Sequence, residues 1–339
     1  MQLVAGGPPC QGFSMVGLRR DTDPRNQLFK CHLSVVELLR PQIVLLENVA
    51  GIGIAFKPRD PDSTSGRSGP VASYAELIGM ALTKQGYHVQ QGTIRAVDYG
   101  VPQLRPRFFT VGIRLDLFAA SQAPDFLSML ADGRVRFLRS KHLPPDRPVT
   151  VSEAISDLQT ARRTLRCCTD PESPPGFYEA EYDGPSSTYQ KLMNSGMRGR
   201  APNSRRLANH RAETVRKFKQ IQRVCRKGVS LSAAERASIG IRKTVIAHLD
   251  GDSPSHTLTT LPDDLVHYSE PRIHTVREYA RLQSFPDWFE FRGKFTTGGA
   301  RRAHECPRYT QVGNAVPPLL AEAIGMTLAR ILKQGGARS

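Results

Sequence analysis

Along the first third of the chain, short apolar runs of strand type alternate with stretches whose apolar residues recur at helical spacing. That is the pattern of a parallel sheet with crossover helices. Residues 3–5 read as the end of a strand. Residues 26–40 place Leu28, Val35, Leu38 and Leu39 on one face of a helix that Pro41 stops. Residues 43–46 are an unbroken apolar run, a buried-type strand leading straight into Glu47-Asn48-Val49. A stretch rich in Pro, Ser, Gly and Asp at 58–70 reads as a mobile surface loop. A helix over 74–84 capped at Gly86 follows, then strands at 87–94 and 108–113.

Beyond residue 140 helical periodicity weakens and Pro and Arg become frequent, as in a second lobe. From Arg198 to Lys227 the Arg and Lys residues, Arg205 and Arg206 among them, are relieved by a single acid, Glu213. Part of this run, 211–227, has helical period. A solvated face is the bland explanation of a charge run, but one nearly unrelieved sign favours a surface that meets phosphates. Regular patterning returns after residue 255 with a strand at 257–261 and a helix at 275–283, whose Thr275 and Glu278 have capping-box spacing. A last helix covers 319–333.

Charge narrows the class of partner. The 339 residues carry a formal charge of +16, which points to a polyanion, nucleic acid ahead of an anionic membrane surface. No apolar run approaches the roughly 20 residues that span a bilayer, and no charged-then-apolar leader opens the chain. The expectation is therefore a cytoplasmic, nucleoid-associated protein without a membrane partner. Six cysteines show no C-x-x-C pair, so neither a zinc site nor a disulfide framework is expected.

One thiol stands apart. Cys10 lies in Gly6-Gly7-Pro8-Pro9-Cys10-Gln11-Gly12-Phe13-Ser14, where two prolines stiffen the approach and Gly12 frees the turn after it, as in the display of a nucleophile. Cys10 follows one strand and Glu47 ends another, so both could face the crevice at the carboxyl ends of a parallel sheet. No histidine is marked as a general base for the thiol, which weighs against a cysteine hydrolase. Arg105 and Arg107 alternate along an extended segment, which would bring both guanidiniums to one face, able to bind a phosphate and lower the pKa of a nearby thiol.

Taken in order, Pro-Pro-Cys10-Gln-Gly-Phe-Ser, Glu47-Asn48-Val49, Gln103-x-Arg105-x-Arg107, the run Thr275 to Pro286, and Gln311-Val312-Gly313-Asn314-Ala315-Val316-Pro317-Pro318 closely resemble the later motifs of DNA (cytosine-5)-methyltransferases. The resemblance implies an α/β fold: a Rossmann-like S-adenosylmethionine-dependent methyltransferase sheet, truncated at its N-terminus, with a smaller mixed DNA-recognition lobe. The implied boundaries are 1–145 for the catalytic domain, 146–305 for the recognition lobe and 306–339 for a segment returning to the catalytic domain.

By the same resemblance, Cys10 attacks C6 of a cytosine flipped out of double-stranded DNA, and a methyl group passes from S-adenosylmethionine to C5. Glu47 would hold the N3 edge, Arg107 the O2 side with Arg105 close by, and Asn48 would orient the active-site loop. Gln11, Ser14, Arg205, Arg206 and Arg277 are the implied DNA contacts, and residues 150–255 the region that recognises the target. Two RNA-modifying classes are set aside, because one carries a second cysteine where Glu47-Asn48-Val49 stands and the other departs from Gln-Gly-Phe-Ser.

The family's Phe-x-Gly-x-Gly turn, which cradles the cofactor, is not found in the chain. Pro8, Leu28, Asn314 and Val316 match positions near the cofactor and would form one wall of its pocket. The expectation is that the chain alone binds S-adenosylmethionine weakly or not at all; a segment missing from its N-terminus, a complementary N-terminal chain that carries the glycine-rich part, and a decayed enzyme are the three origins left open. A cognate restriction endonuclease is the other implied partner. The competing reading is a non-catalytic DNA-binding remnant of such an enzyme.

Overall fold

A computed structural model describes residues 1–8, 28–54, 72–118, 123–296 and 304–336. The loop expected at 58–70 lies outside the described residues. The chain divides into two compact units, one from residues 1–95, 106–133 and 323 onward, the other from 96–105 and 134–322.

Among the described residues, the first unit is built on four strands. They are β1 (Leu3–Gly6), β2 (Ile43–Asn48), β3 (Tyr87–Arg95) and β4 (Pro106–Arg114), in the order β1-β2-β4-β3. Only β1 and β2 are parallel; β4 runs antiparallel to both its neighbours. The sheet is thus mixed rather than all-parallel. Residues 96–105 are too few for a helical crossover, which needs about a dozen or more residues, so β3 and β4 pair antiparallel.

Helices α1 (Leu28–Leu39) and α2 (Tyr74–Lys84) join β2 in one core. Leu33 and Val36 of α1, Val44 and Leu46 of β2, and Ala75, Ile78 and Leu82 of α2 are buried together. The face of α1 expected to be buried is not: Leu28, Val35, Leu38 and Leu39 are exposed. This helix carries two apolar stripes, and the sheet takes the one formed by Leu33 and Val36. Helix α2 begins with a capping box between Ser73 and Glu76 and is followed by Gly86 at φ +89°.

Helix α3 (Phe126–Ser140) leads into the second unit, which contains α4 (Val151–Ile155), the antiparallel pair β5 (Leu165–Cys167) and β6 (Tyr178–Ala180), and α5 (Thr188–Asn194). There follow α6 (Ala212–Val224), β7 (Val229–Ser230), α7 (Ala233–Ile239), β8 (Ala247–His248), β9 (Leu265–Val266), α8 (Val276–Leu282) and α9 (Arg308–Asn314). Strands β7, β8 and β9 form one small sheet. Phe218 and Ile221 of α6, Ile239 of α7, Ile246, Val266 and Ile273 close a local core around it.

The strand expected at 257–261 does not form. Its backbone is bound instead by side chains: Gln103 Oε1 accepts from the Leu258 amide at 2.9 Å, and Arg105 Nη1 donates to the Leu258 carbonyl at 3.2 Å. The chain closes with α10 (Pro318–Gly336). Residues 308–335 are long and apolar enough to cross a bilayer by length and composition alone. The stretch is broken between α9 and α10, and Leu320, Ile324, Leu328 and Ile331 are buried in the protein, so it packs as core helix.

Candidate active site and nucleic-acid interface

In the first unit the chemistry gathers at the carboxyl end of β2. Glu47 and Asn48 are its last residues, opposite Phe109 and Phe108 of β4, and Arg107 precedes them on that neighbouring strand. Arg107 Nε lies 3.0 Å from Glu47 Oε1, with the two side chains 12% and 21% exposed. Shielding of this kind strengthens the pair relative to one in open water.

Asn48 is buried and uses both ends of its amide. Nδ2 donates to the Pro8 carbonyl at 3.1 Å and Oδ1 accepts from the Val49 amide at 2.9 Å. It therefore ties the turn after β2 to the segment that leads toward Cys10. Gly7 lies against the same carboxylate: a Cβ there would meet Glu47 Oε2 at 3.5 Å. Gly6 is more constrained, since its Cβ would fall 2.6 Å from the His32 ring. Cys10, Gln11 and Ser14 lie outside the described residues.

Arg105 belongs to the second unit and has a different task from Arg107. It is 1% exposed, and its guanidinium donates to the carbonyls of Leu258, Gly313 at 2.8 Å and Ala315 at 3.1 Å. The phosphate-binding face expected of Arg105 and Arg107 is thus not formed, because Arg105 is spent on backbone.

Beside it, Gln103 Nε2 donates to Gln283 Oε1, and Gln283 Nε2 donates to the carbonyls of Val312 and Ala315. Two buried amides and one buried guanidinium thereby fasten residues 258 and 312–315 to the end of α8. Gly313 is required at this junction, since a Cβ would come 2.3 Å from the Thr259 carbonyl oxygen. Sequence spacing showed the motifs but not this knot, which no local signal reveals.

Helix α8 is buried along its whole length. Arg277 donates to the carbonyls of Asn203, Pro286 and Phe289, and Arg281 forms a two-pronged pair with Asp287 and reaches Asp157. Arg272 clamps Glu278 with two bonds of 2.7 Å. Burial would raise the Glu278 carboxyl, but Arg272 and its hydrogen bonds override it and hold it well below the ordinary carboxylate range. Arg205 is likewise buried against Glu179 and the carbonyls of Ala180 and Pro202. Of the three arginines expected to contact DNA, Arg205 and Arg277 are therefore enclosed, and only Arg206 has donors open to solvent.

The exposed cations lie elsewhere. Arg216, Lys219 and Arg223 are exposed on α6, and Arg226 and Lys227 follow it, while Phe218 and Ile221 hold the helix to its core. Lys217 is partly neutralised by Glu213 at 2.8 Å. The result is a basic face on a short amphipathic helix.

The family of C-5 cytosine-specific DNA methylases matches residues 1–330. This chain belongs to that family. The type II methyltransferase M.DdeI of Desulfomicrobium norvegicum is 30% identical over 95% of this chain and 71% of its own length. M.AgeI of Thalassovita gelatinovora is 30% identical over 97% of this chain and 82% of its own. The fold is shared with a protein described as a DNA modification methyltransferase encoded within an E. coli prophage, with a TM-score of 0.59 and 23% identity over 98% of this chain and 80% of that one.

The family uses S-adenosylmethionine. Of the residues expected near it, Pro8 is half-buried, Leu28 and Asn314 are exposed and Val316 is half-buried. The set offers apolar surface and one amide. It contains no carboxylate for ribose hydroxyls and no glycine turn, so these residues do not fit the whole cofactor.

Proposed function

We propose that this chain supplies the nucleophile and the DNA-reading surfaces of a DNA cytosine-5 methyltransferase. The single observation that carries the reading is the Glu47–Arg107 pair, held on adjacent strands beside Gly7 and Pro8, two residues before Cys10.

Cytosine C5 is a poor nucleophile until a thiolate adds to C6. In the proposed reaction the Cys10 sulfur bonds to C6, the ring's electron pair moves toward N3, and a proton shared with Glu47 settles there. Arg107 would donate to O2 and remain paired with Glu47, so charge stays balanced around the ring. Asn48, by holding the Pro8 carbonyl, fixes the path of the chain that carries the thiol. S-adenosylmethionine supplies the methyl group in this family. Extrusion of the base costs about a few kcal/mol in stacking and pairing, which phosphate contacts from the exposed cations of α6 would offset.

The outer edge of β1 has no strand beside it among the described residues, and the exposed stripe of α1 is on the same unit. Together with the incomplete cofactor set, this supports a complementary chain or segment that adds to the sheet there and brings the rest of the cofactor site. The named relatives are type II methyltransferases, which supports a role in modification opposite a restriction endonuclease.

The test is covalent trapping. Duplexes of random sequence containing 5-fluorocytosine are mixed with the chain and S-adenosylmethionine, with and without a glycine-rich methyltransferase segment added in trans. A denaturant-resistant adduct with the native chain and none with Cys10→Ala is expected. Duplex binding without an adduct in either condition would instead make the chain a DNA-binding remnant.

A further inference from the structure

Four neighbouring arginines of the second unit are held in two different ways. Arg205, Arg277 and Arg308 are buried, and their donors are spent on carbonyls and carboxylates: Arg308, for example, binds the Gly293 carbonyl, Asp170, Glu172 and Ser204. Arg206 is half-buried, with its Cζ 4.0 Å from the centre of the Phe177 ring and 3.9 Å from that of Phe295. Arg308 in turn lies 4.1 Å from the centre of the Phe295 ring. No hydrogen bond or ion pair engages the Arg206 guanidinium among the described residues, and none of its nitrogens is sealed from solvent.

A clamp of this kind does something that charge alone does not require. Stacking against aromatic faces fixes the plane of a guanidinium and leaves its in-plane N–H edge available. Attraction to a phosphate needs only a nearby cation, and the flexible side chains of α6 already provide several. A fixed plane with two parallel donors is of use where the acceptors are also paired and coplanar. In duplex DNA the O6 and N7 atoms of guanine present such a pair in the major groove. Arg308 would not compete for it, because Asp170 and Glu172 neutralise it.

On the reading of this chain as a DNA methyltransferase, we propose that Arg206 reads a guanine of the recognition site, with Phe177 and Phe295 holding it in register. It is a specificity residue and takes no part in the chemistry on the cytosine.

The experiment selects preferred duplexes from a random pool with the full chain and with Arg206→Lys, Arg206→Ala and Phe177→Leu, and records a thermal melt for each. The preferred site is then remade with 7-deazaguanine at each guanine in turn. For the native chain, one such substitution should weaken binding by about 10- to 100-fold. In Arg206→Lys that position should tolerate any base, and the 7-deaza penalty should vanish while the other positions keep theirs. Phe177→Leu should show the same loss in part.

Uniform weakening at every position with a shallower salt dependence would make Arg206 a phosphate contact and overturn the proposal. An unchanged preference with a lowered melting temperature would make the stack structural, with the same result. A chain that binds no duplex at all would overturn the methyltransferase reading beneath it.

Discussion

Arg107 Nε and Glu47 Oε1 stand 3.0 Å apart on adjacent strands, and the pair is neither sealed in the core nor fully in water. Glu47→Gln keeps the shape and removes the carboxylate. It should reduce the rate of adduct formation with 5-fluorocytosine DNA by about 100-fold or more, as expected when a positioned acid–base group is lost, while thermal stability changes little. Trapping at the native rate would reduce Glu47 to an ion-pair partner.

Gly313 tolerates no side chain. The atom a Cβ would strike is the Thr259 backbone oxygen, at 2.3 Å, with the Thr260 amide nitrogen at 3.1 Å, so one of two backbones must move. Gly313→Ala should destabilise the chain by about 1–3 kcal/mol, the usual cost of overpacking. Urea unfolding measures it, and a midpoint equal to the native one would contradict the packing described.

Arg281 is fully buried and answers two carboxylates, Asp287 and Asp157. Burial pushes the Asp157 carboxyl above its ordinary value even with Arg281 beside it. Removing the guanidinium leaves Asp157 enclosed without its counter-charge and Asp287 with only Arg277, 3.9 Å away. Arg281→Ala should therefore cost about 3–5 kcal/mol, visible as loss of soluble protein or a collapsed unfolding midpoint. Asp157→Asn in the Arg281→Ala background should recover part of it.

Acid should destabilise the second unit through two buried histidines. Burial, reinforced by His267 and Arg272, lowers the pKa of His274 to about 3, and burial and Arg272 also lower that of His267. In the unfolded chain both take protons near 6.5, so below that pH the unfolded state binds more protons and stability falls. For His274 the loss is about 1.4 kcal/mol per pH unit, through a window that ends near pH 3, and His267 acts in the same direction. Unfolding free energies at pH 6 and 5 should differ less in His274→Gln than in the native chain, by about one proton's worth. Equal slopes would remove His274 from the account.

The basic face of α6 should act through salt. Replacing Arg216, Lys219 and Arg223 together with Gln should lessen the slope of log affinity against log salt by about 2–3. It should leave the preferred duplex sequence unchanged. A native slope would place the DNA elsewhere.

Elements with local signals were legible in the sequence. Helix α2 carries its own capping box and terminal glycine, and Thr275 with Glu278 starts α8 as their spacing predicts. Elements decided at long range were not. The segment after Ser255 has strand-like residues but gives its backbone to Gln103 and Arg105, far away in the chain. Helix α1 has two apolar stripes, and nothing within it says which the sheet will cover. Arg205 and Arg277 read as surface cations because an arginine bound to carbonyls and one facing water look alike in a sequence. The order of motifs carried the family, whereas the division of labour between Arg105 and Arg107 is set by the tertiary fold.

That division sets a rule for building chimaeras. The second unit is assembled from two separate stretches, and the short one, 96–105, ends in the guanidinium that fastens Leu258, Gly313 and Ala315. Grafting a relative's recognition segment in place of residues between 160 and 250 leaves this fastening intact. A graft that runs past Leu258 replaces the acceptors and keeps the donor, so the borrowed piece must bring carbonyls that match an arginine it did not evolve with.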